Sequence, residues 1–184
     1  MVVPMTATAA GAPAVAGRAR VFMTAEEALK LAFPKLAIER GNAFLTDLEQ
    51  KRVSKLSGND FDRGVVYPYF AKRDGLVVAT AYFDTHRVRT LRETVMIVVT
   101  SDQKVERVEV LAFGEPKDYL PRDIWYGQFD DRVLDADLNL KRGIRGVAGA
   151  TLTARATTAA VRRVLAVHKV LAERPVQSQA AVQK

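Results

Sequence analysis

The chain has 184 residues, of which 48% are hydrophobic and 27% charged, the balance of one globular domain with a substantial core. It contains no cysteine and only two histidines, so disulfides, thiolate chemistry and cysteine-ligated metals are excluded, and no metal site is expected. No apolar run reaches the roughly 18 residues that span a bilayer. The net charge of +7 favours anionic partners. Because the basic residues are spread along the chain, we expect no nucleic-acid binding.

The ends of the chain differ from its middle. Residues 1–17 carry no charged side chain, and Ala14-Val15-Ala16 resembles a signal-peptidase site, although no basic segment precedes it. We therefore predict that residues 1–20 are a weak or truncated export signal or a disordered tail. The globular domain is expected over residues 21–174, and a flexible tail over residues 175–184, where Pro175 stops the last helix.

Two capping boxes organise the first third of the domain. Thr24 and Glu27 predict a helix that runs to about Phe33, and Thr46 and Glu49 predict a second helix that ends before Gly58. Residues 37–45, between the two helices, are predicted to form a strand interrupted at Gly41-Asn42.

From Val65 onward, hydrophobic residues recur at every second position, as they do in β-strands. Strands are predicted over residues 65–72, 76–83, 93–100 and 104–113, with Asp74-Gly75 as a hairpin turn and residues 84–92 as a basic connection. A short helix over residues 121–129 places Trp125 and Phe129 toward the core, and a long helix covers residues 154–171. The fold class is therefore α+β: a twisted antiparallel sheet of four or more strands, with helices packed against one face and the long C-terminal helix after a glycine-rich loop.

The glycine-rich loop is the strongest functional signal. Three glycines lie within seven residues, Gly143 to Gly149, immediately before the long helix. Glycines let backbone N–H groups approach a ligand, and a helix N-terminus attracts anions, so the loop predicts a phosphate site. The alternative is an ordinary turn in which Thr151 or Thr153 caps the helix.

Gly149-Ala150-Thr151, with Gly146 before it and Thr153 after it, resembles the flavinylation motif of the FMN-binding domain family. That family includes the small FMN-carrying subunits of sodium-pumping quinone reductases and Rnf complexes. The order of hairpin, acidic-proline loop (Glu115-Pro116) and Gly-Ala-Thr before a helix is also similar. Arg145 and Ala148 stand where the family motif has an acidic residue and a Ser or Thr.

The resemblance implies that FMN is the cofactor and that its phosphate is esterified to the Thr151 hydroxyl. The backbone around the motif, with Arg142 or Arg145, would hold the phosphate, and Glu115 would contact the ring or the ribityl hydroxyls. Candidate ring contacts are aromatic or apolar. The predicted cofactor site comprises Thr151, Gly149, Ala150, Leu152, Thr153, Gly146, Arg145, Arg142, Glu115, Tyr82, Tyr119 and Leu120, with Phe113 as a further ring candidate.

Each of these residues has an ordinary structural alternative. The arginines can be solvated, the aromatic side chains can be core, and Glu115 can be a turn carboxylate. The basic connection over residues 84–92 can meet the phosphate, an acidic redox partner or a quinone headgroup, or it can be a charged loop. His86 can donate a proton to reduced flavin, whereas His168 is expected to be packed in the core.

The resemblance implies an FMN-binding electron carrier in an extracytoplasmic or membrane-associated redox chain rather than a stand-alone enzyme. Its partners would be a flavin transferase and a membrane redox complex or another electron-transfer protein, and the chain would not itself be transmembrane. Two alternatives stay open because Arg145 and Ala148 depart from the motif: a flavin-free binding or scaffold module, and a reductase with noncovalent FMN.

Overall fold

A computed structural model describes residues 19–174, so the predicted N-terminal signal or tail (apart from its last two residues) and the tail over 175–184 lie outside the described residues. The strands are β1 (Arg20–Val21), β2 (Ala37–Arg40), β3 (Ala43–Phe44), β4 (Val65–Val66), β5 (Tyr69–Arg73), β6 (Leu76–Arg87), β7 (Arg92–Thr100) and β8 (Val105–Phe113). The helices are α1 (Ala25–Ala32), α2 (Asp47–Ser57), α3 (Asp123–Tyr126) and α4 (Thr151–Ala172), with 3-10 turns at Lys117–Tyr119 and Gly127–Phe129.

The α+β class is confirmed. Six strands form one antiparallel sheet in the order β1-β8-β7-β6-β5-β2, and β3 pairs with β4 in a small second sheet. The hairpin at Asp74-Gly75 joins β5 to β6 as predicted, and both of its turn residues have positive φ.

Both capping boxes are also confirmed. In each, the threonine hydroxyl accepts the backbone N–H of the glutamate three residues on, and the glutamate accepts the threonine backbone N–H. Gly58 ends α2 at φ 68°, in the left-handed region that glycine adopts at little cost.

The prediction that helices cover one face of the sheet is wrong. Val95, Ile97 and Val99 of β7 pack toward α4 and α3, while Met96 and Val98 pack toward α1 on the opposite face. Successive strand residues point to opposite faces, so the apolar run of β7 is continuous because both faces are buried. Trp125 and Phe129 are buried in the α4 side of the core, as predicted.

Several predicted boundaries are wrong for identifiable reasons. The strand over residues 65–72 is broken at Tyr67-Pro68, because proline cannot supply a ladder N–H. Strand β6 continues to Arg87, so the basic connection shrinks to residues 88–91. The short strand β1 was not predicted.

The last helix begins three residues earlier than predicted. Its N-cap is Ala150 rather than Thr151 or Thr153, and no side chain caps it. The Gly149 φ of +83° turns the chain into this helix. Among residues 19–174, no helix is both long and apolar enough to cross a membrane.

Candidate functional site

The N-terminus of α4 is open to a ligand. The Thr153 hydroxyl donates to the Tyr119 carbonyl at 2.5 Å and the Thr151 hydroxyl donates to the Val147 carbonyl at 3.4 Å, so neither caps the first-turn amides. The first N–H groups of a helix have no partner within it and carry the positive end of its dipole. Thr151 is exposed at this end of the helix, and its hydroxyl makes only one long hydrogen bond.

A small pocket of about 160 Å³ lies at this helix end. Three segments that are distant in sequence form its walls: the β6–β7 loop, the loop after β8, and the glycine-rich turn. The lining residues are Val88, Arg89, Glu115, Tyr119, Gly149, Ala150, Thr151, Leu152 and Thr153. Its volume is below the ~300 Å³ of sites that enclose a drug-sized ligand. The pocket can therefore hold one end of a ligand such as FMN while the rest lies along the surface.

Glu115 fixes the β6–β7 loop at this pocket. Its Oε1 accepts the backbone N–H groups of Arg89, Thr90 and Leu91 at 3.2, 2.6 and 2.7 Å. Burial raises the pKa of Glu115, but these backbone hydrogen bonds and the Thr90 hydroxyl outweigh it and hold the pKa below its ordinary value. The carboxylate is thus ionised, and it sets the position of the wall that carries Val88 and Arg89.

Seven of the predicted cofactor-site residues come together in this pocket: Gly149, Ala150, Thr151, Leu152, Thr153, Glu115 and Tyr119. Val88 and Arg89 also line the pocket but were not predicted as site residues. The signal available for them was the basic composition of residues 84–92, which gave no indication of which residues reach the pocket.

The other predicted residues lie elsewhere. Arg142, Arg145 and Gly146 are exposed in the preceding loop, outside the pocket lining. The Arg145 carbonyl accepts the Trp125 indole N–H at 2.7 Å, so its backbone anchors the loop to the core. Leu120 lines a groove beside β8.

Two aromatic candidates for the ring are buried away from the pocket. Tyr82 lies under α4, where its hydroxyl is 3.1 Å from Nδ1 of His168. Phe113 is 2% exposed and is likewise absent from the pocket lining. No part of the structure tests which of the predicted side chains touch the flavin, so those contacts stay predictions.

A buried ionic network lies between this pocket and the middle of α4. Nδ1 of His86 is 2.9 Å from Asp84 and Nε2 is 2.9 Å from Glu93, while Glu93 also accepts the hydroxyls of Thr157 and Tyr126. Burial opposes the charged imidazole, but hydrogen bonds to the two carboxylates outweigh it and raise the pKa of His86. The His86 ring is therefore held between a carboxylate of β6 and a carboxylate of β7. It does not line the pocket as an exposed proton donor.

Asp84 completes this network on the side of α4. Its carboxylate accepts Arg163 at 2.9 Å and lies 3.1 Å from Arg63. Burial raises its pKa, but His86 and the two arginines outweigh that effect and lower it to about 2. The prediction of a solvated loop over residues 84–92 is therefore wrong for Asp84 and His86.

The arrangement suits a cofactor with a phosphate at one end. The uncapped amides at the start of α4 supply donors and the positive end of the helix dipole, and Arg89 of the pocket lining adds a positive charge. An added Cβ at Gly146 or Gly149 would meet no atom within 4 Å, so the backbone here faces open space and can be approached closely.

Comparison with known proteins agrees with this geometry. Residues 92–166 match the family model described as FMN-binding domain. The match begins in β7, passes through Glu115, Tyr119 and the glycine-rich turn, and ends within α4. Searches of curated proteins and of solved structures give no match. Residues 92–166 thus match an FMN-binding domain, and this match indicates FMN as the cofactor.

Proposed function

We propose that this chain is an electron carrier whose FMN is joined to Thr151 through a phosphoester. The observation that carries the proposal is the position of the Thr151 hydroxyl, which is exposed on the pocket wall at the first position of α4. A phosphate joined to this oxygen lies beside the uncapped first-turn amides and within the field of the helix dipole.

Charge balance supports the same attachment point. A phosphoester between Thr151 and the ribityl chain carries one negative charge on phosphorus. Arg89, the only basic residue among the described residues that line the pocket, can neutralise it, and a guanidinium suits a forked contact with phosphate oxygens. Glu115 does not oppose the anion directly, because its carboxylate is turned to three backbone N–H groups.

The attachment requires a flavin transferase and an activated flavin nucleotide with a pyrophosphate linkage. The Thr151 oxygen forms the new bond to phosphorus, the pyrophosphate P–O bond breaks, and the released nucleoside monophosphate keeps that electron pair. The hydroxyl proton passes to a base of the transferase. Thr151 is therefore an acceptor of modification and has no role as a catalytic nucleophile.

The pocket favours a carrier over a reductase. Bound FMN supplies one- and two-electron redox chemistry, and the protein positions it. Among the described residues, the only carboxylate lining the pocket is Glu115, which is committed to the β6–β7 loop, and His86 is buried in its own network. Because the pocket is too small to enclose a whole FMN, the flavin ring would lie outside it and could exchange electrons at the surface.

We further propose that the carrier works in an extracytoplasmic or membrane-associated redox chain, exchanging electrons with a membrane redox complex or another electron-transfer protein. The basis is the resemblance of Gly149-Ala150-Thr151 to flavinylation motifs and the uncharged, signal-like composition of residues 1–17. The net charge of +7 favours an acidic partner surface.

Intact-mass spectrometry after co-expression with a flavin transferase tests the attachment. Wild type and Thr151→Ser are expected to gain one FMN, whereas Thr151→Val is expected to gain none, because only the first two have a hydroxyl. An FMN-sized increment that persists in Thr151→Val would contradict the assignment. Flavin that stays bound in wild type without any increment would identify noncovalent FMN, and protein from the native host without any flavin would overturn the proposal.

A further inference from the structure

A second cavity lies on the side of the buried ionic network that is away from the Thr151 pocket. It is next to the point where β5 and β6 stop pairing. Pairing between β5 and β6 ends at Tyr69 and Ala81, while β6 continues to Arg87. Pro68 removes the N–H that the next pairing would need, and the chain turns away toward β4. The space left beside β6 and under α4 is a cavity of about 310 Å³.

We propose that this cavity, called here the arginine cavity, binds a small aromatic carboxylate. It is lined by three arginines, one carboxylate, and aromatic and aliphatic side chains. These are Arg40, Arg63, Arg163, Asp84, Phe61, Val65, Val66, Tyr67, Tyr69, Tyr82, Phe83, Val164 and Val167. Only Tyr82 of these residues was predicted to contact the flavin, and none of them lines the pocket at Thr151.

The charges in the arginine cavity favour an anion. Asp84 is 2% exposed, and its oxygens already face Arg163, Arg63 and His86. The lining therefore has one carboxylate and three guanidinium groups, and among the described residues Arg63 and Arg163, but not Arg40, form ion pairs with Asp84. An incoming carboxylate would restore the balance without displacing Asp84.

The arginines also keep donors available for a ligand. A guanidinium has five N–H donors in a planar fork. Among the described residues, Arg163 donates one hydrogen bond, to Asp84, whereas Arg63 donates one to the Thr85 carbonyl and forms an ion pair with Asp84. The Arg40 guanidinium donates no hydrogen bond to any residue of 19–174 and lies 4.5 Å from the centre of the Tyr67 ring. The remaining N–H groups can bind both oxygens of a carboxylate.

The uncharged residues of the lining favour a ligand with an aromatic ring. The lining includes the apolar residues Val164 and Val167 of α4 and Phe61, and the aromatic residues Tyr67, Tyr69 and Phe83. A volume of about 310 Å³ is at the small end of ligand pockets and suits one or two fused rings. Stacking of Arg40 on Tyr67 shows that ring and guanidinium already pack together in this lining.

The arginine cavity is separate from the flavin pocket along α4. Arg163 lies 12 positions after Thr151 in the same helix, which corresponds to about 18 Å at 1.5 Å per residue. Binding at one site therefore leaves room for the other, and FMN attached at Thr151 should not compete with a ligand in the arginine cavity.

The test compares two probes of nearly equal shape, 2-naphthoate and its neutral analogue 2-naphthamide, titrated into the full chain by calorimetry. Methyl NMR shifts of Val164 and Val167 report where each probe binds. We expect 2-naphthoate to bind at these methyls at least tenfold more tightly than 2-naphthamide, because only the carboxylate uses the guanidinium donors.

Two variants and a matched control locate the interaction. Arg40→Gln should weaken 2-naphthoate about tenfold and leave 2-naphthamide unchanged, since a hydrogen bond to a charged group contributes ~1.5 kcal/mol or more. Arg155→Gln, an exposed arginine of α4 outside the cavity lining, should change neither. Tyr67→Ala should weaken both probes, because it removes one aromatic wall.

Equal affinity for the two probes in wild type would overturn the proposal, and this comparison needs no variant. Equal effects of Arg40→Gln and Arg155→Gln would also overturn it, as would shifts confined to residues 149–153. The flavin-loaded chain should give the same affinities as the flavin-free chain. Failure of flavin attachment at Thr151 would therefore leave this result unaffected.

Discussion

The strongest structural test of the flavin pocket is Glu115→Ala. In the folded protein, one carboxylate oxygen receives the backbone N–H groups of Arg89, Thr90 and Leu91 at 3.2, 2.6 and 2.7 Å. The side chain is 7% exposed, so these bonds form away from bulk water. Removing the carboxylate leaves the loop between β6 and β7 without its only side-chain anchor among the described residues.

The magnitude follows from those three bonds. A hydrogen bond to a charged group contributes about 1.5–3 kcal/mol when both partners are buried. Arg89 and Thr90 are exposed, so their N–H groups regain water in the variant, and the main loss comes from the half-buried Leu91. We therefore expect Glu115→Ala to lower the free energy of unfolding by about 2–3 kcal/mol, and Glu115→Gln, which keeps an acceptor, by about 1 kcal/mol.

Urea denaturation at constant pH measures this effect, with Glu106→Ala as the control. Glu106 is an exposed carboxylate of β8, and its removal should change the free energy of unfolding by no more than about 0.5 kcal/mol. FMN retention should also fall in Glu115→Ala, because Val88 and Arg89 lose their position at the pocket. If Glu115→Ala and Glu106→Ala had equal stability, the carboxylate would not be the anchor that its contacts indicate.

The remaining predictions concern the two histidines and the glycine-rich loop. The folded-state pKa of His86 is raised, so its stabilising contribution should be complete below the unfolded value of about 6.5 and be lost as pH rises through the folded value. Burial lowers the pKa of His168 to about 4, so it should lower stability as pH falls from about 6.5 toward 4. NMR titration of the two rings checks both signs, and a His86 pKa below that of a free imidazole would contradict the network. Gly143→Ala should destabilise the protein by about 1–3 kcal/mol, because its Cβ would lie 2.5 Å from the Asp137 carbonyl oxygen. Gly146→Ala, three residues on, meets nothing within 4 Å and should be nearly neutral when both variants are compared by urea denaturation.

Local signals in the sequence determined the elements whose interactions are local. Thr24 and Glu27 are three residues apart and cap each other, so their helix could be placed from the sequence alone. The same is true of the hairpin at Asp74-Gly75, whose turn conformation depends on the two turn residues. The Gly149-Ala150-Thr151 segment was identified for the same reason, because a motif and its helix are contiguous.

Charged residues in strands were misread where distant partners decided their environment. Asp84 and His86 suggested a solvated loop, since isolated charges are costly to bury. In the structure, Arg163, 79 residues away from Asp84, and Glu93 compensate those charges, so β6 continues through them. A contact between residues so far apart in the sequence is not indicated by the residues next to either of them.

The sequence by itself determined the α+β class, the two capped helices and the glycine-rich turn before the last helix, but not the residue at which that helix begins. Only the tertiary structure decided what surrounds that turn: it brought Glu115 and Arg89 to the pocket and placed Tyr82 beneath α4 beside His168. The bond between Glu115 and the Arg89 backbone joins residues 26 positions apart. Such contacts depend on how the strands pair and where α4 packs, and these arrangements are set by the whole core rather than by any segment of it.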